Sequence, residues 1–175
     1  KPKNITSFEV IKRLKKILNI KKIGHSGTLD PFATGILAIA LGEATKSIHY
    51  FNQNKVYKFN VVFGELKDTD DITGRTIKKS NIIPTLDEIN QCIRKFIGKN
   101  AQIPPQYSAV KVNGKRAYKL ARENQRIELK AKDVFIENIK CLGAKNMNEY
   151  SFIMECSTGT YVRSVARDLG KMLGT

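Results

Sequence analysis

The stretch Gly24-His25-Ser26-Gly27-Thr28-Leu29-Asp30-Pro31-Phe32-Ala33-Thr34-Gly35 decides how this chain is read. It sets three glycines, one histidine and one carboxylate in a segment with neither helical nor strand periodicity. Pro31 removes a backbone donor and biases Asp30 towards an extended backbone. Gly24, Gly27 and Gly35 permit turns that other residues make only at a cost. The expected product is a stiff loop presenting one acid and one imidazole. Loops of that kind carry function more often than they merely connect.

The flanking sequence is globular and basic. The 175 residues are 41% hydrophobic, enough for one domain with a buried core. Lys and Arg number 31 against 16 Asp and Glu, giving a net charge of +15 and a pI near 9.8. Such an excess suits a polyanion, either nucleic acid or an anionic membrane surface. Residues 1–24 hold eight of these cations (Lys1, Lys3, Lys12, Arg13, Lys15, Lys16, Lys21 and Lys22) against Glu9 alone. A phosphate-facing surface has this composition, and so does a solvated helix face. No apolar run is long enough to span a membrane, and no secretory signal opens the chain. Cys92, Cys141 and Cys156 are odd in number and widely spaced, which fits reduced thiols better than a disulfide framework or a zinc site.

Periodicity predicts a mixture of strands and helices. Thr6-x-x-Glu9 is a capping-box pattern opening a helix to about Asn19, with Phe8, Ile11, Leu14 and Leu18 on one face. Ile36–Leu41 reads as a buried strand and 43–52 as helical. Tyr57, Phe59, Val61 and Phe63 alternate with polar or smaller residues, a strand ending at Gly64. An acidic loop spans Glu65–Gly74, and a second helix 85–97. After Pro104-Pro105 come a short strand at 107–112, a short helix at 115–122, strands near 132–139 and 149–156, and a helix capped by Thr160 running to about Leu173. Adjacent strands and helices in this mixture indicate an α+β fold in a single domain, 1–175.

Several residues could carry chemistry. Asp30 could be a nucleophile, a base, a metal ligand or a turn-forming residue. Metal binding needs more ligands than the nearby His25, so cofactor-free covalent or acid–base work is favoured. Gly24-x-Ser26-Gly27 lacks the spacing of a hydrolase elbow. In Asp68–Gly74 the fifth position is Ile72 and glycine falls at seven, which excludes an EF-hand and leaves a solvated turn as the default. Arg163 falls in the first turn of the last helix, where the helix dipole disfavours a cation by a few tenths to about 1 kcal/mol. A cation placed there points to a nearby carboxylate or phosphate, the alternative being an arginine that faces solvent. Tyr57 and Tyr161 are candidates for stacking on a base.

Gly24–Gly35 resembles the Gly-His-x-Gly-Thr-Leu-Asp-Pro-x-Ala-Thr-Gly signature of the TruB-type tRNA pseudouridine synthases. The resemblance continues through Lys1-Pro2 and Thr6-Ser7, then Lys55-Val56-Tyr57, Gly64 and Asp68-Thr69-x-Asp71-x-x-Gly74. It extends to Gln102–Ala109 with Gly114, Tyr118, Ala121 and Arg122, and to Cys156–Arg163 with Asp168-Leu169-Gly170. It implies a pseudouridine synthase fold: a mixed, mainly antiparallel sheet flanked by helices, with the catalytic aspartate on a loop in a central cleft. The implied activity is isomerisation of uridine 55 in the T-loop of tRNA to pseudouridine, on a flipped-out base and without cofactor or metal. Asp30 then matches the catalytic aspartate, Tyr57 the tyrosine stacking on the target base, and Arg163 the arginine paired with the aspartate. His25 matches the histidine that takes the flipped nucleotide's place, and Tyr161 lines the pocket. The resemblance further implies a cytoplasmic monomer, or one in an organelle of bacterial origin, acting on the tRNA T-arm. Lys67 and Thr158 depart from the family's usual threonine and lysine. Family members also continue past the equivalent of Thr175, so the chain reads as a catalytic domain without its C-terminal portion or any C-terminal RNA-binding domain. A guide-RNA-dependent relative acting on ribosomal RNA and a catalytically silent RNA-binding module are the alternatives.

Overall fold

The first helix, α1 (Ser7–Leu18), begins where its cap dictates: the Thr6 hydroxyl accepts from the Glu9 N–H at 3.0 Å. The Glu9 side chain pairs with Arg13 one turn on, at 3.4 Å. In the computed structural model, which describes residues 1–51, 54–125 and 127–175, the chain divides into two compact units, Lys1–Gln53 and Asn54–Thr175.

In the first unit, α1 buries less of its apolar face than the periodicity predicts. Ile11 is 5% exposed, but Phe8 and Leu18 are largely solvated. Amphipathic spacing states which residues share a face and not how many a small unit can cover. Strands β1 (Ile23–His25) and β2 (Ile39–Leu41) pair antiparallel, with His25 opposite Ile39. Of the buried strand expected over 36–41 only the second half is strand, and none of it is buried: Leu41 is 40% exposed, and Ile36, outside it, 96%. A 3-10 helix, Gly42–Tyr50, replaces the helix expected over 43–52, whose residue 52 lies outside the described residues. Gly24 sits in a strand, not a turn. A side chain there would meet the terminal methyl of Ile48 at 2.7 Å, a contact that a small shift of that flexible side chain relieves.

The second unit is built on an antiparallel sheet in the order β3-β10-β9-β6. Its strands are β3 (Lys55–Val62), β6 (Gly98–Gln102), β9 (Lys132–Ala144) and β10 (Glu149–Cys156), and Tyr57 lies opposite Met154. Alternation puts Tyr150, Phe152, Met154 and Cys156 of β10 on one buried face with Val61 and Phe63. Helices α2 (Leu86–Arg94) and α4 (Val162–Leu173) cover that face with Ile89, Ile93, Val165 and Leu169. Helix α2 opens with a complete capping box, Thr85 and Glu88 each bonding the other's backbone N–H. Strand β6 gave no pattern to read. Gly-Lys-Asn-Ala-Gln has little strand propensity, and its extension comes from pairing with β9.

Two further hairpins modify the expected loops. Glu65–Gly74 is not loop throughout: β4 (Glu65–Lys67) pairs with β5 (Thr76–Lys79). The strand expected at 107–112 shortens to β7 (Lys111–Val112). It pairs with β8 (Lys115–Arg116) across Asn113-Gly114, whose φ of 49° and 81° suit a two-residue hairpin. Helix α3 (Ala117–Arg122) follows and shares a small apolar cluster with Ile127 and Leu129. Cys92 and Cys156 are buried, and burial pushes both thiols up from their ordinary value. Among the described residues no helix is long and apolar enough to cross a membrane.

Phe152 is fully buried and stacks on Phe59 with ring centroids 5.5 Å apart. Phe152→Ala is expected to destabilise the sheet unit by about 3–5 kcal/mol, measured as a fall in urea midpoint.

Candidate active site

The Asp30 loop is held by hydrogen bonds more than by apolar packing. The Ser7 hydroxyl, buried at the start of α1, accepts from Leu29 N–H at 3.0 Å and donates to Leu29 C=O at 3.3 Å. Asn4 N–H donates to Pro31 C=O at 2.8 Å, and Ala33 N–H closes a turn on Asp30 C=O at 3.0 Å. Lys1 donates from Nζ to Ile5 C=O at 2.7 Å and Pro31 C=O at 3.1 Å. Burial in this carbonyl cradle lowers the Lys1 pKa, and the Asp30 charge opposes the shift. Asp30 is thus half-buried on a braced loop with a cation in its field. His25, at the end of β1, is also half-buried, and its Nδ1 has no hydrogen-bond partner among the described residues.

Tyr57, Tyr161 and Arg163 belong to the second unit. Tyr57 lies near the start of β3 and packs partly against the core. Tyr161, not Thr160, is the N-cap residue of α4, because the Thr160 hydroxyl turns back to donate to Ser157 C=O at 2.9 Å. The Tyr161 backbone is gripped instead by the buried Gln102 at the end of β6. Gln102 Oε1 accepts from Tyr161 N–H at 2.7 Å, and Gln102 Nε2 donates to Tyr161 C=O at 3.2 Å. A primary amide matches a peptide group in both directions, so one side chain fixes where α4 begins.

That start sets the position of Arg163 in the first turn of α4. Its guanidinium donates to Thr69 C=O and Tyr107 C=O, each at 3.1 Å, and lies 3.6 Å from an Asp71 carboxylate oxygen. The other Asp71 oxygen accepts from the Thr69 hydroxyl and from Thr73 N–H and hydroxyl at 2.6–2.9 Å. One turn along α4, Arg167 donates to Asp70 at 2.9 Å, to Ile103 C=O at 2.8 Å and to Asp168 at 2.9 Å.

The acidic loop is therefore not the solvated turn expected from its composition. The Asp70 and Asp71 side chains are only 10% exposed, and those of Arg163 and Arg167 only 12%. Burial raises the Asp70 pKa, while Arg167, and more weakly Arg163 and Lys171, pull it down. Gly74 belongs to this loop for lack of room: a side chain there would collide with Thr69 and Asp68.

Sequence reasoning assigned no role to Ser7, Asp70, Asp71, Gln102 or Arg167. The i, i+4 spacing of Arg163 and Arg167 beside an adjacent acidic pair was the one legible signal. Among the described residues no group of three or more His, Cys, Asp or Glu side chains is placed to hold a metal ion.

Residues 15–162 match the model of the TruB family pseudouridylate synthase N-terminal domain. The chain is 51% identical to the tRNA pseudouridine synthase B of Ehrlichia ruminantium (strain Gardel), over 99% of its own length and 60% of the relative's. It is 45% identical to the tRNA pseudouridine synthase B of Brucella ovis, over 99% and 54%. The chain therefore spans somewhat more than half the length of these relatives. Among solved structures, a chain from the crystal structure of a Cbf5-Nop10-Gar1 complex superposes with a TM-score of 0.68 at 28% identity, covering 99% of this chain and 43% of that one.

Gln102→Leu keeps the side chain's bulk and withdraws both bonds to the Tyr161 backbone. Tyr161 C=O keeps its bond from Val165 N–H, so a loss of about 1–3 kcal/mol is expected for the Tyr161 N–H left without Gln102, read as a lower thermal midpoint.

Proposed function

Because the chain belongs to the TruB family of pseudouridylate synthases, we propose that the protein isomerises one uridine of tRNA to pseudouridine. The target is uridine 55 in the T-loop. What carries the reading is the 51% identity to a tRNA pseudouridine synthase B, with the Asp30 motif standing intact in a braced loop.

The reaction must break the C1′–N1 bond, turn the uracil and join C5 to C1′. A single carboxylate, Asp30, suffices to start it, either by attacking C1′ or by abstracting the 2′ hydrogen. An aspartate with an ordinary pKa near 3.9 needs no help to ionise at pH 7 in water. In a site closed over a nucleoside, loss of water favours the protonated form, and a nearby cation restores the charge. Arg163 is the cation for that role. The network of Thr69, Tyr107 and Asp71 supports the assignment by holding its guanidinium in one orientation. Everting a uridine from folded RNA costs a few kcal/mol, and stacking on Tyr57 offsets about 1–3 kcal/mol of it. Tyr161 lines the nucleoside pocket, and His25 takes the everted nucleotide's place in the RNA loop. The net charge of +15 supplies attraction to the phosphates. The enzyme works as a monomer on the tRNA T-arm.

The 51% identity to a tRNA pseudouridine synthase B supports the reading in which tRNA itself is the substrate. Pseudouridine formed on a bare tRNA transcript by the full-length protein alone would establish the guide-free mode.

In the full-length protein, Asp30→Asn is expected to abolish pseudouridine formation while tRNA affinity survives, measured by mapping the product and by filter binding. Turnover like the wild type's would refute the proposal. Arg163→Lys keeps the charge and loses the planar fork, so single-turnover rates should drop by about 100-fold with little change in tRNA binding.

A further inference from the structure

Arg163 and Arg167 stand one turn apart on α4 and project from one side of it. Facing them are two adjacent carboxylates, Asp70 and Asp71, and all four side chains are nearly covered. Two cations and two anions at such range can pair in more than one way. The structure adopts one of them: Arg167 with Asp70 at 2.9 Å, and Arg163 with Asp71 at 3.6 Å. Arg167 is tied down further by Ile103 C=O and Asp168, so its fork is committed on several sides.

Asp70 is not insulated from Arg163. The charges of Arg167, Arg163 and Lys171 all act on its carboxyl, Arg167 most strongly. Asp70 is also held in a left-handed backbone conformation, φ 57°, within a loop whose turns are closed by Asp68 and Asp71. The loop therefore leaves Asp70 little freedom to turn away. Were Arg167 absent, the covered carboxylate would draw on the next cation of α4, and a shift of Arg163 towards it would weaken the bonds to Thr69 C=O and Tyr107 C=O.

We infer that Arg167 is a positioning residue for Arg163: by pairing Asp70, it keeps that carboxylate from pulling the Arg163 guanidinium off Thr69, Tyr107 and Asp71. Asp70 and Arg167 are one ion pair of a cluster that Asp168 and Lys171 complete, and catalysis needs the Asp70 charge balanced rather than either charge for itself. The inference rests on the function proposed above.

The test uses the full-length protein and a tRNA transcript. Arg167→Met leaves Asp70 uncompensated and should lower kcat by about 100-fold, the scale of loss from an ångström's misplacement, with KM for tRNA little changed. Adding Asp70→Asn removes the competing charge and should restore most of the lost turnover. Arg167→Lys, which keeps Asp70 paired, should retain most activity. A double variant no better than Arg167→Met would overturn the inference, because a simple structural pin behaves that way. So would Arg167→Lys as impaired as Arg167→Met. If Arg167→Met does not fold, the other two variants decide: both active supports the inference, and either one inactive while folded overturns it. No product from the unaltered full-length protein would defeat the function itself, and this inference with it. Undiminished kcat in Arg167→Met would defeat the inference alone.

Discussion

The larger unit depends on how α4 meets the acidic turn. Arg163 and Arg167 reach oxygens from three separated segments: Thr69 with Asp70 and Asp71, Ile103, and Tyr107. Removing charged groups from water costs several kcal/mol per ion, recovered only where geometry is good and remaining donors are satisfied. Both guanidinium groups meet that condition with carbonyl as well as carboxylate partners. The ammonium of a lysine, a point charge without a planar fork, would not span the same oxygens. Removing one partner of such a network costs more than the network contributes when whole, because a covered charge is left uncompensated.

The start of α4 is under the same discipline. A cation in the first helical turn works against the helix dipole. The nearby Asp71 carboxylate and two carbonyls offset that, and Gln102 fixes the turn from which Arg163 extends. The expectation of an anion near Arg163 is met in its own unit by Asp71.

The smaller unit achieves stiffness differently. It buries few apolar side chains, and its loop is held by Ser7, Asn4 and Lys1 acting on backbone groups around Asp30. Small units with little core rely on such directional bonds, since apolar burial scales poorly with size. The apolar face of α1 shows the corresponding shortfall, with Phe8 and Leu18 exposed.

Local rules read directly from the chain settled a good deal. The helical spacing of Leu86, Ile89, Ile93 and Phe96 announced α2, the alternation at 57–63 and 150–156 announced β3 and β10, and the glycine-rich motif announced the Asp30 loop and the family. These signals are legible because each is carried by neighbours a few residues apart. Strand β6, the burial of Asp70 and Asp71, the shift of the α4 cap from Thr160 to Tyr161 and the close approach behind Gly24 were not legible. Each is set by a partner distant in sequence: β9, α4, Gln102 and Ile48. Composition made the acidic turn look solvated, since isolated carboxylates belong in water. Only the arrival of two arginines from nearly a hundred residues away makes it cheaper to bury them than to leave them out.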